Sequence, residues 1–480
     1  MKKILLSMLA FFCVCQSFCQ TIDRSKMPEP GPAPMIKLGA PVTYHLKNGM
    51  TILVVESHKV PKISATLFID AGQIKEGKKA GVLDLMGQML GEGTTTMSKA
   101  EFDEAVDVLG ANLSFTHTGG SVDALTKYFP QAFELMSKGL ISASFSQSSF
   151  DKIQLQVLTD KINSSKNTKA IAKEVVGALT FGSDNPSGEF STVETIKALT
   201  LSDVTQAYSQ YITPSRSYLT IVGDIKPEAA KALAEKWFSN WNGAQLTLAI
   251  SPKASNPPQT EIDVVDLPNA VQSDITVINL VNLKLDADDI YAAKLANLIF
   301  GGGSNAYLFK SLREKRGFTY GAYSNLGSGR FQTTFSSNAA VRTAKTDSAV
   351  MEFLTQLKRI RTEPISSEEL ENAKALYNGS FALNMEDSSV PAAYARNILL
   401  NKLPADYYRN FLKRINAVTV EQVQQAADKY FSIDNARIIV VGNAAQYLKA
   451  LKELPYPIEE YDRFAKPIVS GTTGAARVIK

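Results

Sequence analysis

The residues best suited to chemistry lie in one stretch, Phe300 to Ser324, which reads FGGGSNAYLFKSLREKRGFTYGAYS. It opens on Gly301, Gly302 and Gly303 and runs on to Arg313, with Tyr320 seven residues later. Arginine brings a permanent positive fork that grips oxygen acceptors, and tyrosine a phenolic donor. Each part also has a plainer reading. The glycines can cap a helix and start a turn. Arg313, Glu314, Lys315 and Arg316 can form a solvated helix end that favours cations. Taken alone, each of these plainer readings wins. A phosphate loop is excluded, because no Lys-Ser or Lys-Thr pair follows the glycines at the right distance. Other chemistry has few residues to draw on. The three histidines, His45, His58 and His117, match no ligand spacing and read as structural or surface residues. No nucleophile–histidine pair stands at a recognisable spacing.

These residues need elements to hold them. Val42, Tyr44 and Leu46 alternate with polar residues, Asn48-Gly49 signals a hairpin, and Met50 to Val55 resumes as a strand. Lys62 to Ala71 predicts another strand and Ala80 to Leu90 a helix. Lys99 to Leu109 predicts a second helix, with Ser98 as N-cap and Gly110 as stop. Helices are also expected around Pro130–Ser142 and Ser149–Asn163. Ser251 to Thr260, with Pro252, Pro257 and Pro258, reads as a linker between halves of similar length.

The halves look like copies. Thr200–Asp224 (TLSDVTQAYSQYITPSRSYLTIVGD) aligns without a gap on Thr419–Asn443 (TVEQVQQAADKYFSIDNARIIVVGN). Each reads as a capped amphipathic helix, a turn and a buried strand ending in Val-Gly. More weakly, Leu83–Gly93 matches Ala292–Gly303, each a helix running into a glycine-rich turn. Strands interleaved with helices, joined partly by hairpins, predict an α+β fold: two homologous domains, each a mostly antiparallel sheet with helices packed on one face.

Length and composition fit this. The chain has 480 residues, 45% hydrophobic and 20% charged, which is ample for sizeable cores. Its 51 basic and 47 acidic residues nearly balance, which argues against nucleic acid as the main partner. Lys2 and Lys3, the apolar run Ile4–Val14 and the small residues Ser17 and Cys19 predict an export signal over residues 1–19. All three cysteines, Cys13, Cys15 and Cys19, lie inside it, so the exported chain is expected to have neither a disulfide nor a Cys-bound metal. No later stretch is long and apolar enough for a membrane span. A proline-rich leader is expected over 20–38, a first domain over 39–250, a linker over 251–262, a second domain over 263–465 and a tail over 466–480. The protein is expected to be periplasmic or extracellular.

The stretch Ala80–Phe102, AGVLDLMGQMLGEGTTTMSKAEF, together with L-R-E-K-x-G from Leu312 to Gly317 and Tyr320, resembles the pitrilysin/insulinase family of zinc peptidases. The likeness to mitochondrial processing peptidase runs from about Pro41 to Leu454. It implies the processing-peptidase, LuxS-like metallohydrolase fold. Active members carry H-x-x-E-H on the first helix, where two histidines bind zinc and the glutamate activates water. Here those positions hold Asp84, Gly87 and Gln88, and Asp160 stands near the distal ligand position. A glycine offers no base and an amide is a poor zinc ligand, so no metal or other cofactor is expected in this chain.

The second motif stands as the family has it. The resemblance implies that Arg313 and Tyr320 bind the substrate backbone and stabilise charge on the scissile carbonyl oxygen, while Gly301–Gly303 guide the peptide. In some bacterial relatives one chain holds the zinc and another the Arg/Tyr pair. The expectation is a non-catalytic subunit that pairs with a homologous H-x-x-E-H subunit carrying the zinc, acts on peptides and contributes Arg313 and Tyr320 in trans. The alternative is an inert peptide-binding or scaffold protein on the same fold.

Overall fold

The computed structural model describes residues 41–387 and 389–468. The expected signal over 1–19 and leader over 20–38 lie outside the described residues, as does the end of the tail from 469. In the first half the strands are β1 (Val42–His45), β2 (Thr51–Glu56), β3 (Lys62–Ile69), β4 (Asn112–Thr116), β5 (Gly119–Leu125) and β6 (Ser217–Gly223). The helices are α1 (Val82–Met89), α2 (Lys99–Val108), α3 (Phe129–Ile141), α4 (Gln147–Ser164), α5 (Thr168–Phe181), α6 (Val193–Ala198), α7 (Leu201–Tyr211) and α8 (Pro227–Phe238).

Local sequence accounts for many of the boundaries. The β1–β2 hairpin turns at Gly49, where φ is +98°, and Asn48 ties it down by donating to the Phe238 and Trp241 carbonyls. Helix α2 starts in a capping box between Ser98 and Glu101, and Gly110 follows it at φ +56°. Helix α7 starts in a capping box between Thr200 and Asp203.

The second half has strands β7 (Glu261–Asp266), β8 (Gln272–Val281), β9 (Thr319–Leu326), β10 (Thr333–Arg342), β11 (Arg437–Gly442) and β12 (Ile458–Tyr461). Its helices are α9 (Ile290–Gly301), α10 (Thr346–Thr362), α11 (Ser367–Asn384), α12 (Val390–Asn401), α13 (Phe411–Asn416), α14 (Val420–Tyr430) and α15 (Leu448–Leu451). The last two residues of the expected linker, Glu261 and Ile262, already belong to β7. Helix α14 repeats the capping box of α7, with Thr419 and Gln422.

Each half forms one six-stranded sheet, in the orders β1-β2-β6-β3-β5-β4 and β12-β7-β11-β8-β10-β9. The central strand pairs with its outer neighbour in parallel in both, β2 with β6 and β7 with β11. The ladders from there to β4 and β9 are antiparallel. Registers also agree: Ser64 pairs with Val222 as Asp274 pairs with Val441. The chain is a duplication of one sheet-and-helix unit.

Alternation along the strands makes both faces of each sheet partly apolar. Ile262, Val264, Ile275, Val277, Ile438 and Val440 point to the helices of their own half. Val265, Ile278, Ile439 and Val441 point the other way, onto Ile171, Ala172 and Val175 of α5, a helix of the first half. Reciprocally, α12 of the second half packs on β2 and β6 of the first. The sequence expectation of helices on one face holds for each half's own helices, and a helix from the other half covers the opposite face. Each large apolar side chain buried there contributes about 1.5–3 kcal/mol, so together they outweigh any single polar link between the halves.

The strongest polar link is Asp70, at the end of β3 and 1% exposed. Arg330, from the β9–β10 connection, grips its carboxylate with both Nη atoms, one of them at 2.8 Å. Arg216 donates from Nε to the Asp70 carbonyl at 3.0 Å and from Nη2 to its carboxylate. Burial pushes the Asp70 carboxyl up, but the two arginines hold it below its usual value. Asp70→Asn strands two guanidinium groups and should cost about 3–5 kcal/mol at neutral pH, read by urea unfolding. Because the folded value is lowered, the stabilisation is present above the unfolded value of about 4 and is lost as pH falls through the folded value. The gap between parent and variant should therefore close in acid. An unchanged midpoint at pH 7 would refute the link.

Candidate functional site

Helix α1 places the first set of residues. Val82, Leu83, Leu85, Met86 and Met89 are buried and lock it against the core. Its N-terminus is held by Glu76, whose carboxylate accepts from the backbone N–H groups of Gly81 (2.9 Å) and Leu83 (3.0 Å). Glu189 in turn accepts from the N–H of Glu76 at 2.7 Å. Burial pushes the Glu76 carboxyl up, while those backbone donors pull it down. This carboxylate pair escaped sequence reasoning, because the two residues lie far apart in the chain and match no capping pattern.

Asp84 and Gln88 stand one turn apart on the exposed side of α1. The Gln88 amide donates to Asp84 Oδ2 at 3.2 Å. Gly87, between them, is buried, and the chain leaving β4 lies directly on it. A Cβ at position 87 would sit 2.6 Å from the His117 backbone nitrogen and 3.0 Å from the Thr116 carbonyl carbon. His117 itself is held below its ordinary value by burial, with the Asp84 carboxylate pulling the other way. Asp160 is an exposed residue of α4 and makes no side-chain hydrogen bond to Asp84 or Gln88. Zinc takes three or four N, S or O ligands around one point. A carboxylate already engaged by an amide, beside a glycine, does not fit it. Among the described residues no group of three His, Cys, Asp or Glu side chains is placed to hold a metal. His45 bonds Thr51 at 3.2 Å, and His58 sits exposed beside Glu56 at 2.7 Å and Asp224.

The second set follows α9. Gly301 is a packing glycine, and Gly302 is the exposed C-cap of α9. A Cβ on Gly301 would lie 2.5 Å from the Ser324 backbone nitrogen, and one on Gly302 2.6 Å from Leu298 Cα. Gly303 faces open space. The chain then winds into a π-helical turn, Phe309–Lys315, closed by the Arg316 N–H to the Ser311 carbonyl at 3.0 Å. Such turns re-aim side chains and gather at functional sites. Leu312 goes into the core, while Arg313 stays exposed with its guanidinium 4.8 Å over the Phe309 ring. The turn is pinned by buried Glu352 of α10. Ser311 donates to one carboxylate oxygen, and Arg316 Nε to the other at 3.1 Å. Burial pushes Glu352 up, but Ser311, Gln356 and Arg316 keep it below the ordinary carboxylate value. Sequence reading missed this anchor, since nothing near Arg316 points to Glu352.

Tyr320 lies on β9, the edge strand, and is 85% exposed. Ala322 pairs with Ala339 and Thr319 with Val341, so β9 carries an extra residue at Tyr320–Gly321, a β-bulge. Bulges turn a side chain out of the regular pleat. Neither Arg313 nor Tyr320 makes a side-chain hydrogen bond or ion pair to any described residue, nor do they bond to each other. The fold presents both to the outside, ready for an acceptor, and does not join them to Asp84 or Gln88.

Between α5 and the β8–β10 face lies a cavity of about 820 Å³, lined by Lys169, Lys173, Asp274, Thr276, Ser336 and Asn338 among others. The two halves thus form the walls of an open cleft of mixed character, with Val176, Phe181 and Ile278 beside the polar groups. Burial pushes the Asp274 carboxyl up to about 6, against the pull of Lys169.

Comparison with known proteins agrees with this architecture. Residues 51–187 match the family model described as insulinase (peptidase family M16), and residues 198–377 the one described as peptidase M16 inactive domain. The chain is 23% identical over 411 residues to the uncharacterized zinc protease YmxG of Bacillus subtilis, covering 83% of this chain and 97% of that protein. It is 21% identical over 411 residues to the non-peptidase homolog YmxG of Helicobacter pylori, covering 82% and 91%. The crystal structure of a peptidase M16 inactive domain from Pseudomonas fluorescens superposes with a TM-score of 0.75 at 23% identity, over 84% of this chain and 98% of that one. A protease from Helicobacter pylori gives 0.74 at 18% identity, over 83% and 98%.

Two outcomes test this geometry. Gly87→Glu should destabilise the chain by about 1–3 kcal/mol through overpacking against backbone and should confer no zinc binding, read by thermal unfolding and zinc titration. A stable variant would show that the backbone of 116–117 yields. For Asp274, the folded value near 6 exceeds the unfolded value of about 4, so stability falls as pH rises between them. Asp274→Asn should match the parent near pH 4 and be more stable at pH 8 by on the order of 2 kcal/mol. Parallel stability curves for the two would contradict it.

Proposed function

Because the chain belongs to the peptidase M16 (insulinase) family, as a member without the H-x-x-E-H motif, we propose that it is the non-catalytic subunit of an exported heterodimeric zinc peptidase. The carrying observation is the backbone of Thr116–His117 lying where a base at position 87 would have to stand. A chain that keeps the peptidase architecture but has neither base nor metal ligands contributes something other than the hydrolytic centre. Arg313 and Tyr320 are the groups it has to contribute: both are exposed, neither makes a side-chain hydrogen bond or ion pair to a described residue, and each rests on a π-helical turn or a bulge.

In this reading a homologous subunit with H-x-x-E-H supplies the zinc. The guanidinium of Arg313 holds a peptide carbonyl, and the Tyr320 hydroxyl donates to the oxygen on which charge develops. Edge strands β4 and β9 offer unpaired backbone to an extended peptide, and the open cleft between the halves has room for it. Export rests on the signal-like residues 1–19. Among the described residues no helix is long and apolar enough to cross a membrane.

Purification from native cells under mild conditions, with mass spectrometry of what accompanies the chain, is the direct test. A stoichiometric H-x-x-E-H partner supports the reading, whereas recovery of the chain alone replaces it with an inert peptide-binding or scaffold role. In the reconstituted pair, Arg313→Ala and Tyr320→Phe should each lower the peptidase rate by about two to three orders of magnitude. Both are surface changes and should leave the unfolding midpoint nearly unmoved. Unchanged turnover in both variants would remove their assigned role.

A further inference from the structure

The second half holds another cavity, of about 510 Å³, between α9, α11, α12 and α13. Its walls are aromatic. Tyr394 stacks on Tyr408 with ring centres 3.7 Å apart, and Tyr377 and Phe381 lie nearly parallel to Phe411 at 5.9 and 5.7 Å. Into this half-open, largely aromatic cavity α9 projects the half-buried Lys294. Its ammonium has neither a hydrogen bond nor an ion pair to any described residue, although a charge drawn partly out of water normally gains from a counter-charge. Burial pushes the Lys294 amine below its ordinary value. The Tyr377 and Tyr394 hydroxyls, the Ser380 hydroxyl and the Asn384 amide also border the cavity, and their side chains bond no described residue.

The duplication gives this place a meaning. Counting along the paired strands puts Ser324 of β9 where β4 has Phe115. Gly91 packs on Phe115 and Gly301 on Ser324. Two helical turns before each glycine stand Asp84 and Lys294. Lys294 on α9 therefore stands at the position that Asp84 holds on α1, with the sign of its charge reversed.

We propose that this cavity binds a carboxylate with an aromatic or apolar body. A carboxylate would accept from Lys294 and a neighbouring hydroxyl, while a flat or branched body fills the space between the tyrosine and phenylalanine rings. A single cation matches a monoanion better than a phosphate dianion. The carboxylate can belong to a free small acid or to the C-terminus of a peptide. The proposal stands on a different site from the Arg313/Tyr320 reading and does not rest on it.

Calorimetric titration of the purified chain with N-acetyl-phenylalanine, its amide, and a hexapeptide ending in a free phenylalanine carboxylate tests it. N-acetyl-phenylalanine should bind saturably at one site, and the amide at least tenfold more weakly. Lys294→Met should weaken binding of the acid at least tenfold, and Lys294→Arg should retain most of it. Binding of the hexapeptide as well identifies peptide termini as a source, and binding of the small acid alone identifies free acids. Should Lys294→Met fail to fold, the 13C-dimethyl-lysine resonance that is missing from Lys294→Arg supplies the readout, since it should shift on titration with the acid. Absence of saturable binding, equal binding of acid and amide, or an unmoved Lys294 resonance overturns the proposal.

Discussion

The fold depends on one constraint: each sheet is at least partly apolar on both faces, and its own half has helices for only one. The uncovered faces are closed by exchange, α5 lying on β8 and β11 while α12 lies on β2 and β6. Neither half buries its strands alone, so the halves are held in one arrangement by the hydrophobic effect. The Asp70–Arg330 pair sits at that junction and adds direction to an association that apolar burial drives. The cleft between the halves follows from the same exchange, because α5 leaves part of the β8–β10 face uncovered, where Asp274, Thr276 and Asn338 line it.

Close backbone approach decides the chemistry on the two matched helices. At α1 the chain leaving β4 rests on Gly87 and leaves no room for a side chain. At α9 the same kind of approach, Gly301 on Ser324, brings the helix end against the edge strand and sets up the turn that carries Arg313. In the first half the space where a base would stand is filled by backbone, and in the second the approach organises a presented pair. The turn that carries Arg313 is held by the buried pair Glu352 and Ser311, with Arg316 closing on Glu352 from the surface. A mobile surface loop would hold two such side chains far less well.

Much of this was legible in the sequence because it is written in local patterns. Ser98 with Glu101, Thr200 with Asp203 and Thr419 with Gln422 announced their helices, since a capping box needs only residues three apart. The gapless match between Thr200–Asp224 and Thr419–Asn443 announced the duplication, and the order β2-β6-β3-β5-β4 recurs as β7-β11-β8-β10-β9, while the edge strands β1 and β12 differ in chain position and direction. The loss of the zinc motif was equally plain, because ligand chemistry depends on residue type and Asp84, Gly87 and Gln88 are the wrong types.

What the sequence could not determine is everything that joins residues distant along the chain. Alternation predicted apolar strand faces but could not say that the cover would come from the other half, since α5 and α12 carry ordinary helical patterns. Gly87 read as a missing base, and only the packing of His117 on it makes the position closed to one. Asp70 with Arg330, Glu352 with Arg316, and Lys294 among Tyr377, Tyr394 and Tyr408 are encounters across many elements. Local propensity and residue type are properties of short segments and can be read from them. Burial, pairing and enclosure are properties of the folded chain, and tertiary structure alone assigns them.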